Sequence, residues 1–188
     1  MIAANETVAE KLFWLEIPSV YRTHEKPDPE RIKNLNETLS KFKYRIHSLD
    51  EIHPKKFQKI IEDSKERGIN LLVHKLILMA LKQARYTVDN LGHFGLASGY
   101  YTHFTSPIRR YPDLIVHRLI RKYMFENRLD RRTIMHYQEL MPEIALQTSA
   151  REREAIMIER EVDDMKIAEF MEKQIGEEFE GIISSVTN

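Results

Sequence analysis

Tyr100-Tyr-Thr-His-Phe-Thr-Ser-Pro-Ile-Arg-Arg-Tyr-Pro-Asp-Leu114, with His117-Arg118 behind it, is the stretch on which the reading of the fold turns. Pro107 and Pro112 hold φ at about −65° and push Ser106 and Tyr111 out of the α region. Arg109 and Arg110 therefore sit in a short, stiff turn between two fixed points. A helical period resumes at about Tyr111 and continues to Glu126, so the first amides of a helix point back at that turn. Guanidinium forks, backbone N–H groups and the positive end of a helix dipole then converge, and a phosphodiester is the anion that suits them. Tyr100, Tyr101, Phe104 and Tyr111 lie close enough in sequence to stack on bases, the usual way single strands are held. The same residue types also suit arginines paired to acids and aromatics in a core, and local chemistry alone leaves both readings open.

Upstream of this segment the pattern is mostly helical. Ala3, Val8, Leu12 and Leu15 mark an amphipathic helix over 2–15 that ends before Pro18. Residues 17–24 form a short strand candidate. Asp28-Pro29 opens a second helix, with Asp28 as N-cap, Pro29 at the first helical position and Ile32, Leu35, Leu39 and Phe42 as its apolar stripe. A third helix opens at His53-Pro54 and ends at Gly68. Asn70 caps a fourth, whose Leu71 to Leu81 run is apolar on most sides and is expected to be central to the core. Residues 85–105 lose the helical period and read as irregular structure with one or two strands.

Downstream, helical pattern covers 132–175, bent or broken at Pro142, with Ile158, Val162 and Met165 as a buried stripe. Residues 176–188 alternate as a strand and then stop. The whole reads as a predominantly helical α+β fold.

Composition narrows the function classes. The 188 residues carry 29 Lys+Arg and 29 Asp+Glu, and the 42% hydrophobic content is that of a chain able to build a core. Zero cysteines exclude a disulfide framework, a thiolate zinc site and a thiol nucleophile. No apolar run approaches the ~20 residues of a membrane span, and Asn5, Glu6, Glu10 and Lys11 interrupt the place where a secretion signal would have its apolar core. A cytoplasmic setting without a membrane partner is the expectation. The neutral total hides an asymmetry: residues 100–132 hold eight Lys/Arg against three Asp/Glu, and residues 151–180 hold five against eleven. The first stretch can present a polyanion-attracting surface.

The string His103-Phe-Thr-Ser-Pro-Ile-Arg-Arg-Tyr-Pro-Asp113, with His117-Arg118, resembles the signature of the ribonuclease II/R family of exoribonucleases. Ala3-Ala-Asn-Glu-Thr-Val-Ala9, Tyr21-Arg-Thr-His-Glu-Lys-Pro27, Gly92-His-Phe-Gly-Leu96 and Glu159-Arg-Glu-Val-Asp-Asp164 resemble the same family in the same order. Arg110 and Pro112 lean toward its ribonuclease R branch. The resemblance implies that residues 1–175 are the C-terminal part of a catalytic domain. Gly176-Glu-Glu-Phe-Glu-Gly-Ile-Ile183 looks like the opening of the RNA-binding five-stranded barrel that follows it, so that 176–188 would be that barrel's first strand.

The activity this implies for the parent is magnesium-dependent 3′ to 5′ hydrolysis of single-stranded RNA to nucleoside 5′-monophosphates, by a monomer. Arg109 matches the family's phosphate-contacting arginine, and Glu159 resembles its downstream glutamate, with a catalytic or orienting role. Arg110, Tyr101 and Tyr111 are the further RNA-channel candidates. The metal-holding aspartates of the family lie upstream of anything in this sequence. Its one adjacent pair, Asp163 and Asp164, points about 100° apart on a helix and is assigned no metal. The 188 residues are accordingly expected to bind no Mg2+ and to show no nuclease activity alone. His103 and His117 read as structural, and His93 as tying down a turn. The competing class is a non-catalytic helical module that binds RNA or protein through the same basic segment.

Overall fold

The computed structural model describes residues 1–46 and 52–181. The chain divides into two compact units, Met1–Thr148 and Ser149–Asn188.

The first unit strings together α1 (Ile2–Trp14), β1 (Tyr21–Thr23), α2 (Pro29–Ser40), α3 (Pro54–Glu66), α4 (Asn70–Ala80), β2 (Arg85–Thr87), a 3₁₀ turn at Phe94–Leu96 and α5 (Tyr111–Ile120). A π-helical turn, Arg121–Phe125, extends α5, and α6 (Arg131–Glu172) follows. The strands β1 and β2 pair antiparallel in the register Tyr21–Thr87, Arg22–Tyr86, Thr23–Arg85. A predominantly helical α+β fold is what the sequence pattern predicts, and the helix starts follow local chemistry. Pro29 and Pro54 open α2 and α3, where a missing N–H costs no helical bond, and His53 accepts from the Lys55 amide as a cap.

Two apolar clusters form. One gathers Leu12, Val20, Tyr86, Ile115, Val116, Leu119, Tyr123 and Met141, and so joins α1, the residue before β1, β2, α5 with its π-helical extension and the start of α6. The other gathers Ile32, Leu35 and Leu39 of α2 with Phe57 and Ile60 of α3 and Val73 and Ile77 of α4. Ile32, Leu35 and Leu39 of the α2 stripe are buried as their spacing predicts, each side chain contributing roughly 1.5–3 kcal/mol, while Phe42 lies past the end of the helix and is only partly buried.

Four local expectations need correction. The α4 helix is not enclosed: Val73, Ile77 and Ala80 are buried while Leu71, Leu78 and Met79 are more than half exposed, because α2 and α3 cover only one side of it. Asn70 is the first helical residue and Ile69 the cap position, so no side-chain cap starts α4. Asp28 occupies the cap position of α2 without bonding an amide and instead meets Lys82 at 3.0 Å. Pro142 does not break α6, which runs through it; what the proline removes is the amide that would have bonded to the Gln138 carbonyl.

The second unit consists of the remainder of α6 and the segment after it. Ile158, Val162 and Met165 are about half exposed rather than buried. Within this unit a lone helix has, among the described residues, no second element on which to lay an apolar stripe. Residues 177–181 carry no strand, and 182–188, which hold the rest of the predicted terminal strand, lie outside the described residues.

Candidate nucleic-acid interface

The segment leading into the arginine turn is extended backbone clamped from several directions. The Tyr101 carbonyl accepts from the Arg22 amide of β1 at 2.9 Å. Thr102, fully buried, donates its hydroxyl to the Val20 carbonyl at 2.6 Å. From α1, buried Asn5 donates to the Tyr101 hydroxyl at 3.0 Å and accepts from the Phe104 amide at 3.1 Å. On the far side, His117 of α5 stacks on the Phe104 ring at 4.3 Å between centroids, and its Nε2 lies 2.9 Å from the Phe104 carbonyl. These bonds fix the segment to β1 and the residue before it, to α1 and to α5 together.

Residues 107–109 then form a turn, closed by the Arg109 and Arg110 amides on the Ser106 carbonyl at 3.3 and 3.1 Å. Tyr111 begins α5, with Pro112 at its second position, so the extended residue is Arg110 at the cap, and not Tyr111 as the proline alone would predict. Asp113 is completely buried, and its Oδ1 accepts from the Ser106 amide at 2.7 Å and from an Arg110 Nη2 at 2.8 Å. An acid in the first turn that reaches back to an upstream amide is the geometry of a capping box extended beyond the cap. Arg109 is exposed and, among the described residues, has no ion-pair partner, and Ile108 beside it stands wholly in solvent.

The two arginines of the turn therefore separate. Arg109 presents an open guanidinium at the tip. Arg110 is committed to Asp113, with only a fifth of its side chain exposed, so its fork is not available to an outside phosphate. Tyr111, 47% exposed, keeps a ring face open. Tyr101 does not: it is 6% exposed, its ring edges meet His93 and His103, and its hydroxyl is taken by Asn5, so it cannot stack on a base from here. Glu159 is exposed on α6 in the second unit.

A row of aromatic and imidazole rings backs the clamped segment. Phe94, His24, His93, Tyr101, His103 and Tyr86 touch in succession at centroid distances of 5.2–6.0 Å, all edge to face. Burial, with smaller contributions from His24 and Arg22, holds His93 down at about 4. Burial, then the Arg110 and Arg22 charges, does the same for His103, also at about 4. His24 is lowered too, again mainly by burial. These imidazoles are neutral at pH 7 and structural: His103 Nδ1 lies 2.7 Å from the Tyr86 hydroxyl, and His93 caps the 3₁₀ turn through the Leu96 amide. A Cβ at Gly95 would come within 2.8 Å of His24 Nδ1, which accepts the Gly95 amide at 3.1 Å, so that approach admits only glycine.

The described residues contain no group of three or more His, Cys, Asp or Glu able to hold a metal ion. Asp163 and Asp164 are exposed on α6. The described residues do not fit a two-metal site, which needs several carboxylates converging on ions ~4 Å apart. Sequence reasoning missed Asn5 and Asp113, both buried polar residues that organise the turn. The signal available was an acid at the third helical position behind a proline.

Comparison with known proteins follows the same lines. A family model described as the RNB domain matches residues 1–126. The chain is 44% identical to Ribonuclease R 1 of Lactococcus lactis over 188 residues, which is 100% of this chain and 23% of that protein. It matches Mycoplasma genitalium RNase R in complex with ribose methylated single-stranded RNA with a TM-score of 0.92 and 33% identity, over 100% of this chain and 30% of that one. The same enzyme in complex with double-stranded RNA gives a TM-score of 0.92 and 32% identity, over 98% and 33%. The chain spans about a quarter of the length of the curated relatives it matches. Among the described residues no helix is long and apolar enough to cross a membrane.

Proposed function

The chain belongs to the RNB-domain family, and from that premise we propose that it forms part of the catalytic domain of a ribonuclease R-type 3′ to 5′ exoribonuclease that degrades single-stranded RNA to nucleoside 5′-monophosphates. The observation that carries this reading is the exposed Arg109, without an ion partner among the described residues, at the tip of a turn clamped at both ends. A guanidinium held on rigid backbone grips a phosphate without first paying the ordering entropy of a loop. Tyr111 offers the nearest open ring for a base, at the start of α5. The relative from Mycoplasma genitalium binds ribose methylated single-stranded RNA, which supports the same ligand class here.

We assign Glu159 the family's downstream glutamate role, catalytic or orienting, and read the sequence of residues 176–188 as the opening segment of the following RNA-binding barrel, although the described part of it, up to residue 181, carries no strand. The magnesium ions of the parent's reaction are assigned to carboxylates outside these 188 residues, a reading supported by the described residues, which gather no donor set that fits them. The parent is proposed to act as a cytoplasmic monomer. In this scheme the chain's own residues bind and orient the phosphate, and no step of bond cleavage is routed through them alone.

The test is titration of a fluorescein-labelled oligoadenylate with the 188-residue chain and its Arg109→Ala variant. Binding that weakens about tenfold in the variant supports the reading. Equal affinities would sink it and favour a helical module whose basic segment serves a protein partner.

A further inference from the structure

Resting on the assignment of Arg109 to RNA, we propose that Asp113 is a positioning residue that sets the Arg109 turn for its phosphate. Its carboxylate does two things at once. One oxygen, Oδ1, takes both the Ser106 amide before the turn and the Arg110 guanidinium after it, at 2.7 and 2.8 Å, so the two ends of the turn are tied to a single atom. By engaging Arg110, it also leaves Arg109 as the one guanidinium of the adjacent pair that faces outward.

The manner of its burial argues against a role in stability alone. Asp113 is 0% exposed, yet its Oδ2 and the Arg110 Nε are both buried without a hydrogen-bond partner among the described residues. A buried ion pair with unfilled positions on both members is a poor stabiliser, and an apolar pair of similar volume would do as well or better. What an apolar pair could not do is hold the turn. The turn's own closing bonds, at 3.3 and 3.1 Å to one carbonyl, sit at the long end of the range, and Ile108 at its tip touches solvent on every side. Without the carboxylate, the two prolines and these long amide bonds would be left to constrain the backbone that carries Arg109, and Arg110 would be released from its partner.

A double-mutant cycle on the 188-residue chain tests this, read as affinity for a labelled decaadenylate at fixed low ionic strength, with folding followed by circular dichroism. Arg109→Ala is expected to lose about tenfold, Asp113→Asn a comparable factor, and the double variant no more than either single change, because both remove the same contact. Additive losses, or an Asp113→Asn chain that binds like the parent, would overturn the positioning role while leaving the RNA reading intact. If Arg109→Ala costs nothing in the parent background, the RNA reading and the inference that rests on it fail together. Should Asp113→Asn not fold, Arg110 supplies the second arm. Arg110→Lys, which keeps a cation on the buried carboxylate, is expected to bind as the parent, whereas Arg110→Gln is expected to lose affinity and to make Arg109→Ala nearly silent. Full sensitivity to Arg109→Ala in the Arg110→Gln background would overturn the proposal.

Discussion

Arg109 and Arg110 are neighbours in sequence and opposites in environment, and the difference is made by one buried carboxylate. Because Arg109 is exposed and its neighbour is neutralised locally, the chain's contact with a polyanion at this turn amounts to one charge. Arg109→Ala should therefore lower the slope of log affinity against log salt by about 1, with the melting temperature unchanged. A changed melting temperature with an unchanged slope would mean that the residue serves the fold. Gly95→Ala should cost about 1–3 kcal/mol in urea denaturation, by driving the backbone off His24 and leaving a buried acceptor unpaired. No measurable loss would mean the loop relaxes freely. At this scale the prolines made the stiff turn legible, but they placed Arg109 and Arg110 in it alike; Arg109 was singled out by its match to the family string. The sequence was not legible for Tyr101, because the irregular segment around it has no period from which to infer a buried face. Nor was it legible for Arg110, whose partner becomes visible only once the helix brings Asp113 back beneath the turn.

Among the elements, the helices followed their 3.6-residue patterns and opened at Pro29 and Pro54, while Pro142, the caps of α2 and α4 and the burial of α4 went against the local pattern. The apolar run of α4 reads as enclosed, but only one face meets α2 and α3. Leu39→Ala, at a fully buried position of α2, should cost about 2–5 kcal/mol, whereas Leu78→Ser on the open side of α4 should stay within about 0.5 kcal/mol. Similar costs at the two sites would contradict the one-sided packing. The ring row behind the clamped segment adds a pH dependence. His93 and His103 have folded values of about 4, below their ordinary 6.5, so folding favours their neutral forms. Stability from this source is complete above pH 6.5 and is lost as pH falls toward 4. Urea midpoints should be flat from pH 8 to 7 and decline steadily below 6.5, the decline being reduced in His103→Gln. A midpoint constant down to pH 4.5 would contradict the burial of these imidazoles.

As a molecule, the chain brings Arg109 to the surface of a helical unit, and among its described residues it gathers no group of carboxylates that could hold a metal ion. The neutral total hides the charge excess of residues 100–132, which is the part of the charge pattern that the proposed RNA reading uses. The apolar stripe of the second unit was misread, since half-exposed Ile158 and Val162 show that spacing sets a face without supplying a partner for it. The 188 residues incubated with Mg2+ and labelled RNA are expected to release no nucleoside monophosphates; efficient release would return the catalytic carboxylates to this chain. The most direct test of the account is chemical. In a series of oligoadenylates, one phosphate at a time is replaced by an uncharged methylphosphonate, and each is titrated against the parent chain and Arg109→Ala. One position near the 3′ end should weaken the parent about tenfold and leave the variant unaffected. Losses equal in both proteins at every position would contradict a phosphate held by Arg109.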